Sequence, residues 1–444
     1  MDAPPPVAGP GMGARRGAVT AVTGNLNVWW DDALVGTLRP GRYAEVNPIE
    51  FAYEEAWIAD PVSPAVSHYL PKQRQPFRSL FCRPFFEGLL PEGAQRDMLG
   101  EVLGVGEATA LPLLAHMGAE LAGALMVLRE DEVPPHPAPT GPCIPLSDEE
   151  LAELLVMMRE WPFLVGEEMG PRLSLCGSQP KIPVVLADGR VALPSFGQPT
   201  THILKPASIA SEDSTENEAF AMCLAACLGL AVAPVSVGSV DGRSYLLVER
   251  YDRVRDPDGR VRRLHQEDFR QAFGMVPLPK TAWNGGPGYA DCFELVRLAC
   301  TFPAAAVLQL VDAAILQILL GNARAHARSY NLLWRRPGEI ALAPLYGLVT
   351  TATLPHIPAQ FLMKVAGRTT LEELRPGDWA RFAGECGLSP SFVRRRVREL
   401  CSRAEECSDG VAAELASPGL REEALAGLAA LARRRAQRLA GTAR

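Results

Sequence analysis

The chain of 444 residues lacks the features that mark secreted, membrane-spanning or strongly nucleic-acid-binding proteins. Its ten cysteines form no paired C-x-x-C motifs, and the N-terminus carries no apolar run typical of a secretory signal. No segment reaches 18 uninterrupted apolar residues, so we expect no membrane span. The net charge of −7 argues against a nucleic-acid-binding surface over the whole molecule. These absences favour a cytoplasmic protein in a reducing compartment, without a membrane partner.

Two local patterns support this interpretation. Cys223 and Cys227 lie four residues apart in an apolar helical pattern, without histidines at ligand spacing. We therefore expect both to be small buried hydrophobic residues rather than zinc ligands. The segment from Ala304 to Leu320 is the most apolar in the chain, but Asp312 and two glutamines interrupt it. It predicts a helix buried in a globular core, with Asp312 turned inward toward a partner.

The composition divides the chain into five parts. With 48% hydrophobic residues the chain can bury more than one core, so two or three domains are expected. Residues 1–18 are rich in Pro, Gly and Ala and predict a disordered tail. Residues 19–130 predict a small α/β subdomain, and residues 131–146 a stiff proline-rich linker. Residues 147–410 predict a domain that is β-rich first and helix-rich second, and residues 411–444 a C-terminal helix. The predicted fold class is therefore α+β.

Some elements can be placed by their local signals. Two strand patterns around Asp31 and Asp32 predict a β-hairpin. Ser147, followed three residues later by Glu150, predicts a helix start with a capping box.

Two segments in the last third of the chain resemble a known catalytic frame. Residues 321–329 read GNARAHARS, and residues 343–347 read APLYG. This frame resembles the catalytic segment of HipA-family serine/threonine kinases, the toxins of bacterial toxin–antitoxin pairs. In that family, G-x-x-D-x-H-x-x-N is followed by a strand ending in P-x-Y-D. The motifs FFEGLLP at residues 85–91 and AGAL at residues 122–125 extend the resemblance over most of the chain. The resemblance implies a HipA N-terminal subdomain followed by a two-lobed protein-kinase-like domain with a helical C-terminal lobe.

The resemblance also implies a nucleotide site in the first lobe. Residues 173–181 match the family's S-x-x-G-x-Q-x-K phosphate loop, in which a glycine turn lets backbone N–H groups approach phosphate oxygens. Lys205 follows a strand, and Glu218 lies near the start of the next helix, as in the Lys–Glu pair that holds kinase phosphates. The implied nucleotide-binding residues are Ser178, Gln179, Lys181, Lys205, Glu218, Glu249, Tyr251 and His326. The backbones of Glu249 and Tyr251 would meet the adenine edge, although Tyr251 could equally pack in the core.

Two further positions match the family pattern, and we expect neither to be catalytic. Ser174 matches the family's autophosphorylation site, where a phosphate would repel bound nucleotide. Without a working active site, we expect it to be an ordinary strand serine. His326 is retained from the family pattern, and we expect it to pack within the loop rather than act as a base.

The three residues that perform metal-dependent transfer are replaced. Arg324 stands where the family has its catalytic Asp, Ser329 where it has an Asn ligand, and Gly347 where it has the metal-binding Asp. Arginine accepts no proton, serine is a poor ligand for Mg²⁺, and glycine offers no side chain. The sequence therefore predicts no intact catalytic residues and no metal site.

Three functions remain open. The first is a pseudokinase that binds ATP, without need of Mg²⁺, or binds a protein partner in a regulatory role. The second is residual serine/threonine kinase or nucleotide-transfer activity through rearranged ligands. The third is an interaction subunit that binds no nucleotide. The resemblance implies a small helix-turn-helix antitoxin as partner, with DNA reached only through it.

Overall fold

The structure, a computed structural model, describes residues 24–41, 48–104, 109–135, 143, 145–160, 179–208, 211–276, 286–354, 357–416 and 419–444. Within them the chain forms an N-terminal α/β unit, then a β-rich lobe, then a helical lobe. This order confirms the predicted α+β fold with a helical C-terminal lobe. The tail predicted for residues 1–18 lies outside the described residues.

The N-terminal unit is a four-stranded antiparallel sheet of order β3-β2-β1-β4 that packs against helices. The predicted hairpin is confirmed, because Leu26 pairs with Leu38 across a turn in which Asp31 adopts φ +52°. Phe51, Phe85 and Leu114 fill the space between sheet and helices. Its elements are β1 (Leu26–Trp30), β2 (Ala33–Pro40), β3 (Ile49–Tyr53), α1 (Glu55–Ala59), α2 (Ser79–Gly88), α3 (Ala94–Leu103), α4 (Ala110–Met117) and β4 (Leu125–Arg129).

The β-rich lobe is built on a five-stranded sheet of order β6-β5-β7-β9-β8. Its first helix begins as predicted. The Ser147 N–H donates to the Glu150 carboxylate at 2.7 Å, and the Glu150 N–H donates to Ser147 Oγ at 3.1 Å. Its elements are α5 (Asp148–Glu160), β5 (Ile182–Ala187), β6 (Arg190–Ala192), β7 (His202–Pro206), α6 (Ser214–Cys227), β8 (Val235–Val240) and β9 (Arg243–Glu249).

The helical lobe contains the largest hydrophobic core, to which α6 also contributes. The predicted domain boundary between residues 410 and 411 falls inside α11, whose buried residues continue to Val411. The elements are β10 (Arg253–Arg255), β11 (Val261–Arg263), β12 (His265–Asp268), α7 (Phe269–Ala272), α8 (Tyr289–Ala299), α9 (Pro303–Leu320), β13 (Asn331–Arg336), β14 (Glu339–Leu342), α10 (Asp378–Glu385), α11 (Pro390–Leu415) and α12 (Glu422–Gly441).

Helix α9 runs through the middle of this lobe. Its length and hydropathy would suit a membrane span, but 67% of it is buried inside the protein, as in a core helix. Asp312, on this helix, accepts a hydrogen bond from Arg396 of α11 at 2.8 Å. The prediction of a buried helix with an inward-facing Asp312 is confirmed.

The prediction for Cys227 is wrong. Cys227 is the last residue of α6, where the helix leaves the core, and it is exposed rather than buried. It forms a disulfide with Cys407 of α11, which is 180 residues away in the sequence. Cys223 is a free, half-buried thiol.

Candidate functional site

A buried ion pair lies at the centre of the β-rich lobe. Lys205 stands on β7, between β5 and β9, and Glu218 stands on α6. Lys205 Nζ lies 2.5 Å from Glu218 Oε1, and the two residues are 8% and 2% exposed. The structure therefore brings together the lysine and the glutamate that the sequence predicted as a pair.

The described part of the predicted phosphate loop lies next to this pair. Ile182 pairs with Leu204 across β5 and β7, so the residue before it, Lys181, lies at the level of Lys205. Lys181 Nζ donates to the carbonyl oxygen of Gln179 at 3.0 Å. Two cationic side chains therefore stand at neighbouring positions on adjacent strands. Ser174 and Ser178 lie outside the described residues.

The predicted adenine-binding segment is only partly available for that role. The backbone N–H of Glu249 donates to the carbonyl of Pro234 at 2.9 Å, so it is already satisfied within the sheet. The Tyr251 hydroxyl donates to Gln266 Oε1, and its ring centroid lies 5.7 Å from that of Tyr346. Tyr251 therefore packs toward the segment that precedes Gly347.

The loop at residues 321–329 starts from a fixed helix end. Helix α9 ends at Gly321, whose φ of +71° is the left-handed conformation that glycine adopts without strain. The Arg435 guanidinium donates to the carbonyls of Ile318 and Leu319 at 2.8 and 2.9 Å. A cation thus caps the negative end of this helix and sets the direction in which the loop leaves it.

The three replaced positions have different surroundings. Arg324 is exposed, and among the described residues its side chain forms no ion pair. Ser329 Oγ accepts a hydrogen bond from the His326 N–H at 3.3 Å within a short 3-10 turn. Gly347 has φ +60°, and a Cβ added there would meet no atom within 4 Å.

The amides near these positions are engaged in hydrogen bonds within the protein. The Asn331 amide donates to Gln266 at 2.6 Å, and its Oδ1 accepts from the Tyr346 hydroxyl at 3.0 Å. Asn322 is bonded to Gln317 at 2.9 Å and to the Arg324 N–H at 3.1 Å. Across the described ranges, no group of three or more His, Cys, Asp or Glu side chains could hold a metal ion. These residues do not fit Mg²⁺, which prefers several oxygen ligands.

His326 is held neutral. Its burial, followed by the positive charges of Arg328 and Arg270, lowers its pKa to about 3. An imidazole with so low a pKa is uncharged at neutral pH and is poorly matched to general-base work. This environment is consistent with the packing role expected from the sequence.

Arg328 links the loop to the N-terminal unit, a connection that sequence reasoning missed. Its guanidinium donates to Asp268 at 2.9 Å and to the carbonyl of Gly88 at 2.9 Å, and it forms an ion pair with Glu92. Gly88 belongs to the FFEGLLP motif, so two motifs recognised separately meet in space.

The charged residues of the segment after β9 also face the N-terminal unit rather than a ligand. Glu120 forms ion pairs with Arg253 at 2.7 Å, Arg263 at 2.8 Å and Arg250 at 2.9 Å. Burial opposes ionisation of Glu120, but these three guanidiniums outweigh it and hold its pKa well below the usual range. Asp252 completes the cluster by pairing with Arg250 at 2.8 Å. In the sequence, the one signal for this ion-pairing role of Glu120 is its position two residues before the AGAL motif.

The chain is similar to known proteins over most of its length. Residues 173–408 match the family model described as HipA-like C-terminal domain, and residues 26–128 match that described as HipA N-terminal domain. The chain is 45% identical over 383 residues to the "Putative kinase Y4mE" of Sinorhizobium fredii, covering 86% of this chain and 90% of that protein. It is 28% identical over 395 residues to the serine/threonine-protein kinase toxin HipA of Shewanella oneidensis, covering 86% and 88%. The solved complex of Shewanella oneidensis HipA with HipB and its operator DNA contains a chain of similar fold. Its TM-score is 0.78 at 24% identity, over 93% of this chain and 97% of that one.

Proposed function

This chain belongs to the HipA family, and from that premise we propose that it is a pseudokinase that binds ATP without carrying out metal-dependent phosphoryl transfer. One observation carries the proposal. The residues expected to bind phosphate are kept as a buried pair, with Lys205 Nζ 2.5 Å from Glu218 Oε1. The positions expected to carry the base and the metal ligands hold Arg324, Ser329 and Gly347 instead.

The retained residues suit the binding of phosphates. In kinases a lysine of this kind contacts the α- and β-phosphates while its glutamate partner fixes its position. Lys205 is held by Glu218, and Lys181 supplies a second cation on the adjacent strand. Binding through these charges and the neighbouring backbone groups needs neither Ser329 nor Gly347.

The replaced positions remove each part of the transfer step. A guanidinium at Arg324 cannot orient or deprotonate an acceptor hydroxyl, because it carries no basic site. Ser329 Oγ already accepts a hydrogen bond from the loop backbone, and Gly347 has no donor atom for a cation.

Arg324 has a further role in this proposal. It is exposed and forms no ion pair among the described residues, so its charge can neutralise phosphate oxygens that Mg²⁺ would otherwise contact. This chain would then bind ATP in the absence of divalent cations.

Calorimetric titration of the full chain with ATP in EDTA tests the proposal. We expect binding, and we expect Arg324→Ala to weaken it roughly tenfold, as the loss of one charge-assisted contact implies. Arg335→Ala, which removes an exposed arginine near the other end of β13, is the matched control and should leave affinity unchanged. Absence of binding in EDTA would overturn the proposal. Radiolabel transfer from ATP that Lys205→Ala abolishes would instead establish the residual kinase.

We also propose a small helix-turn-helix protein as the partner, with DNA contacted through it. The support is the family resemblance together with the Shewanella oneidensis HipA structure, whose complex contains HipB and operator DNA. Co-expression with a helix-turn-helix protein encoded beside this chain, followed by size-exclusion chromatography, tests this. Separate elution of the two proteins would contradict it.

A further inference from the structure

A cavity of about 280 Å³ lies beside the strand and helix that carry the ion pair. It is bounded by the end of β7, the start of α6, helix α5, the turn between β8 and β9, and the segment before α12. Pro206 and Ala207, which follow Lys205 directly, line it, and so does Glu216, two residues before Glu218. Among the described residues, none of those predicted to bind nucleotide lines this cavity.

Glu216 gives this cavity its chemical character. The residue is only 1% exposed, and its Oε1 accepts a hydrogen bond from the Arg421 N–H at 2.9 Å. Its other oxygen, Oε2, is buried and accepts no hydrogen bond from the residues that the structure describes. An unsatisfied buried carboxylate oxygen is costly, so a donor from outside the chain is expected there.

The cationic residues of the cavity differ in their availability. Arg421 is paired with Glu212 and Asp213, both at 3.0 Å, and Arg243 is paired with Asp241. Arg159, by contrast, is exposed and forms no ion pair with any described residue. The cavity therefore presents one available guanidinium and one half-satisfied carboxylate.

We propose that this cavity binds a small zwitterion, namely a free α-amino acid with an aliphatic side chain. The ammonium group donates to Glu216, and the carboxylate pairs with Arg159. Leu155, Pro206 and Ala207 supply apolar lining for the aliphatic part. The volume is near the lower limit for ligand pockets and far exceeds what a single water needs, which suits a ligand of this size.

This site does not depend on the proposed nucleotide binding, although it shares β7 and α6 with it. A ligand there contacts Pro206, next to Lys205, and Glu216, two residues before Glu218, so its binding energy can be coupled to that of ATP. Such coupling is reciprocal, so ATP would change the affinity for the amino acid by the same factor.

Calorimetric titration of the full chain with L-leucine, L-leucinamide and 4-methylpentanoate, without nucleotide, tests the proposal. Leucine should bind, leucinamide should bind more weakly because it lacks the carboxylate, and 4-methylpentanoate should not bind because it lacks the ammonium group. Equal binding of all three probes, or no binding of leucine at millimolar concentration, would overturn the proposal and leave a water-filled cavity.

Two variants tie the result to the named residues. Glu216→Gln keeps the acceptor for the Arg421 N–H and removes the charge, and it should weaken leucine binding roughly tenfold. Arg159→Ala, an exposed change with little effect on folding, should bring the affinity for leucine down to that for leucinamide. The matched control is Arg190→Ala, an exposed arginine of the same lobe that pairs with Asp148 outside the cavity. Unchanged leucine affinity in both variants would also overturn the proposal.

Discussion

The Arg328 guanidinium lies 2.9 Å from the carbonyl oxygen of Gly88, although 240 residues separate them in the sequence. The same side chain contacts Asp268 of β12 and Glu92 of the N-terminal unit. Arg328 therefore connects the loop at residues 321–329 to the N-terminal unit.

Replacing that arginine should destabilise the whole molecule. Arg328→Met leaves the carboxylate of Asp268, which is 5% exposed, without its guanidinium partner. Breaking a buried pair in this way costs about 3–5 kcal/mol, and chemical unfolding in urea measures the loss. Arg336→Met, which breaks an exposed pair with Glu339, is the control and should cost less than about 1 kcal/mol. If both variants lost the same free energy of unfolding, the buried contacts of Arg328 would contribute no more to stability than an exposed ion pair does.

Removing one charge of the Lys205–Glu218 pair should destabilise the protein more than removing both charges. Lys205→Met leaves Glu218 charged and almost fully buried, so we expect a loss of about 3–5 kcal/mol in the free energy of unfolding. The double variant Lys205→Met/Glu218→Gln removes both charges and should recover a large part of that loss. Urea unfolding of the wild type, both single variants and the double variant gives the coupling energy. Additive effects would argue against a direct interaction.

Restoring the missing groups should restore chemistry. Arg324→Asp, Ser329→Asn and Gly347→Asp together rebuild the family's base and metal ligands. Gly347 can accept the change, because a Cβ there meets no atom and its φ of +60° costs an aspartate only about 1–2 kcal/mol. We expect radiolabel transfer from ATP that requires Mg²⁺ and disappears when Lys205→Met is added. A rebuilt chain that unfolds at the wild-type temperature yet transfers nothing would show that other parts of the machinery are also lost.

Stability should fall with rising pH because of Glu267. Burial raises its pKa to about 8, against the hydrogen bonds from Ser67 and His68, which lower it. The folded state therefore keeps a proton that the unfolded state releases near its ordinary pKa of 4.5. Between these values the unfolding free energy should decrease by up to about 1.4 kcal/mol per pH unit from this group.

Glu267→Gln isolates that contribution. The glutamine oxygen can accept the His68 N–H, and its amide can donate to Ser67, so both contacts at 2.7 and 2.6 Å can be kept without a titrating group. Urea unfolding between pH 5 and 8 should show a flatter dependence for the variant than for the wild type. Parallel curves would mean that Glu267 does not carry the proton.

The sequence allowed local features to be predicted where the signal lies within a few residues. The capping box at Ser147 and the hairpin at Asp31 follow from short-range preferences of the backbone. Lys205 and Glu218 are only 13 residues apart, on consecutive elements whose order matched a known pattern. Such features depend little on the rest of the fold.

Long-range contacts could not be predicted in the same way. The contacts of Glu120 with Arg250, Arg253 and Arg263 span 130 to 143 residues, and nothing in the local sequence selects one partner among many arginines. The same holds for the Cys227–Cys407 disulfide, whose partners share no motif. These pairings arise only when the units dock, so they had to be seen in three dimensions.

Substitutions at the candidate site and substitutions at the contacts between the units affect the fold to different extents. A Cβ at Gly347 would meet no atom within 4 Å, and the Arg324 side chain is exposed, so a single codon change at either position leaves the packed interior intact. A change at Glu120, by contrast, removes an ion-pair partner from three buried arginines at once. Isolated substitutions can therefore change the side-chain chemistry at Arg324 and Gly347, whereas the contacts between the units can change only through several coordinated substitutions.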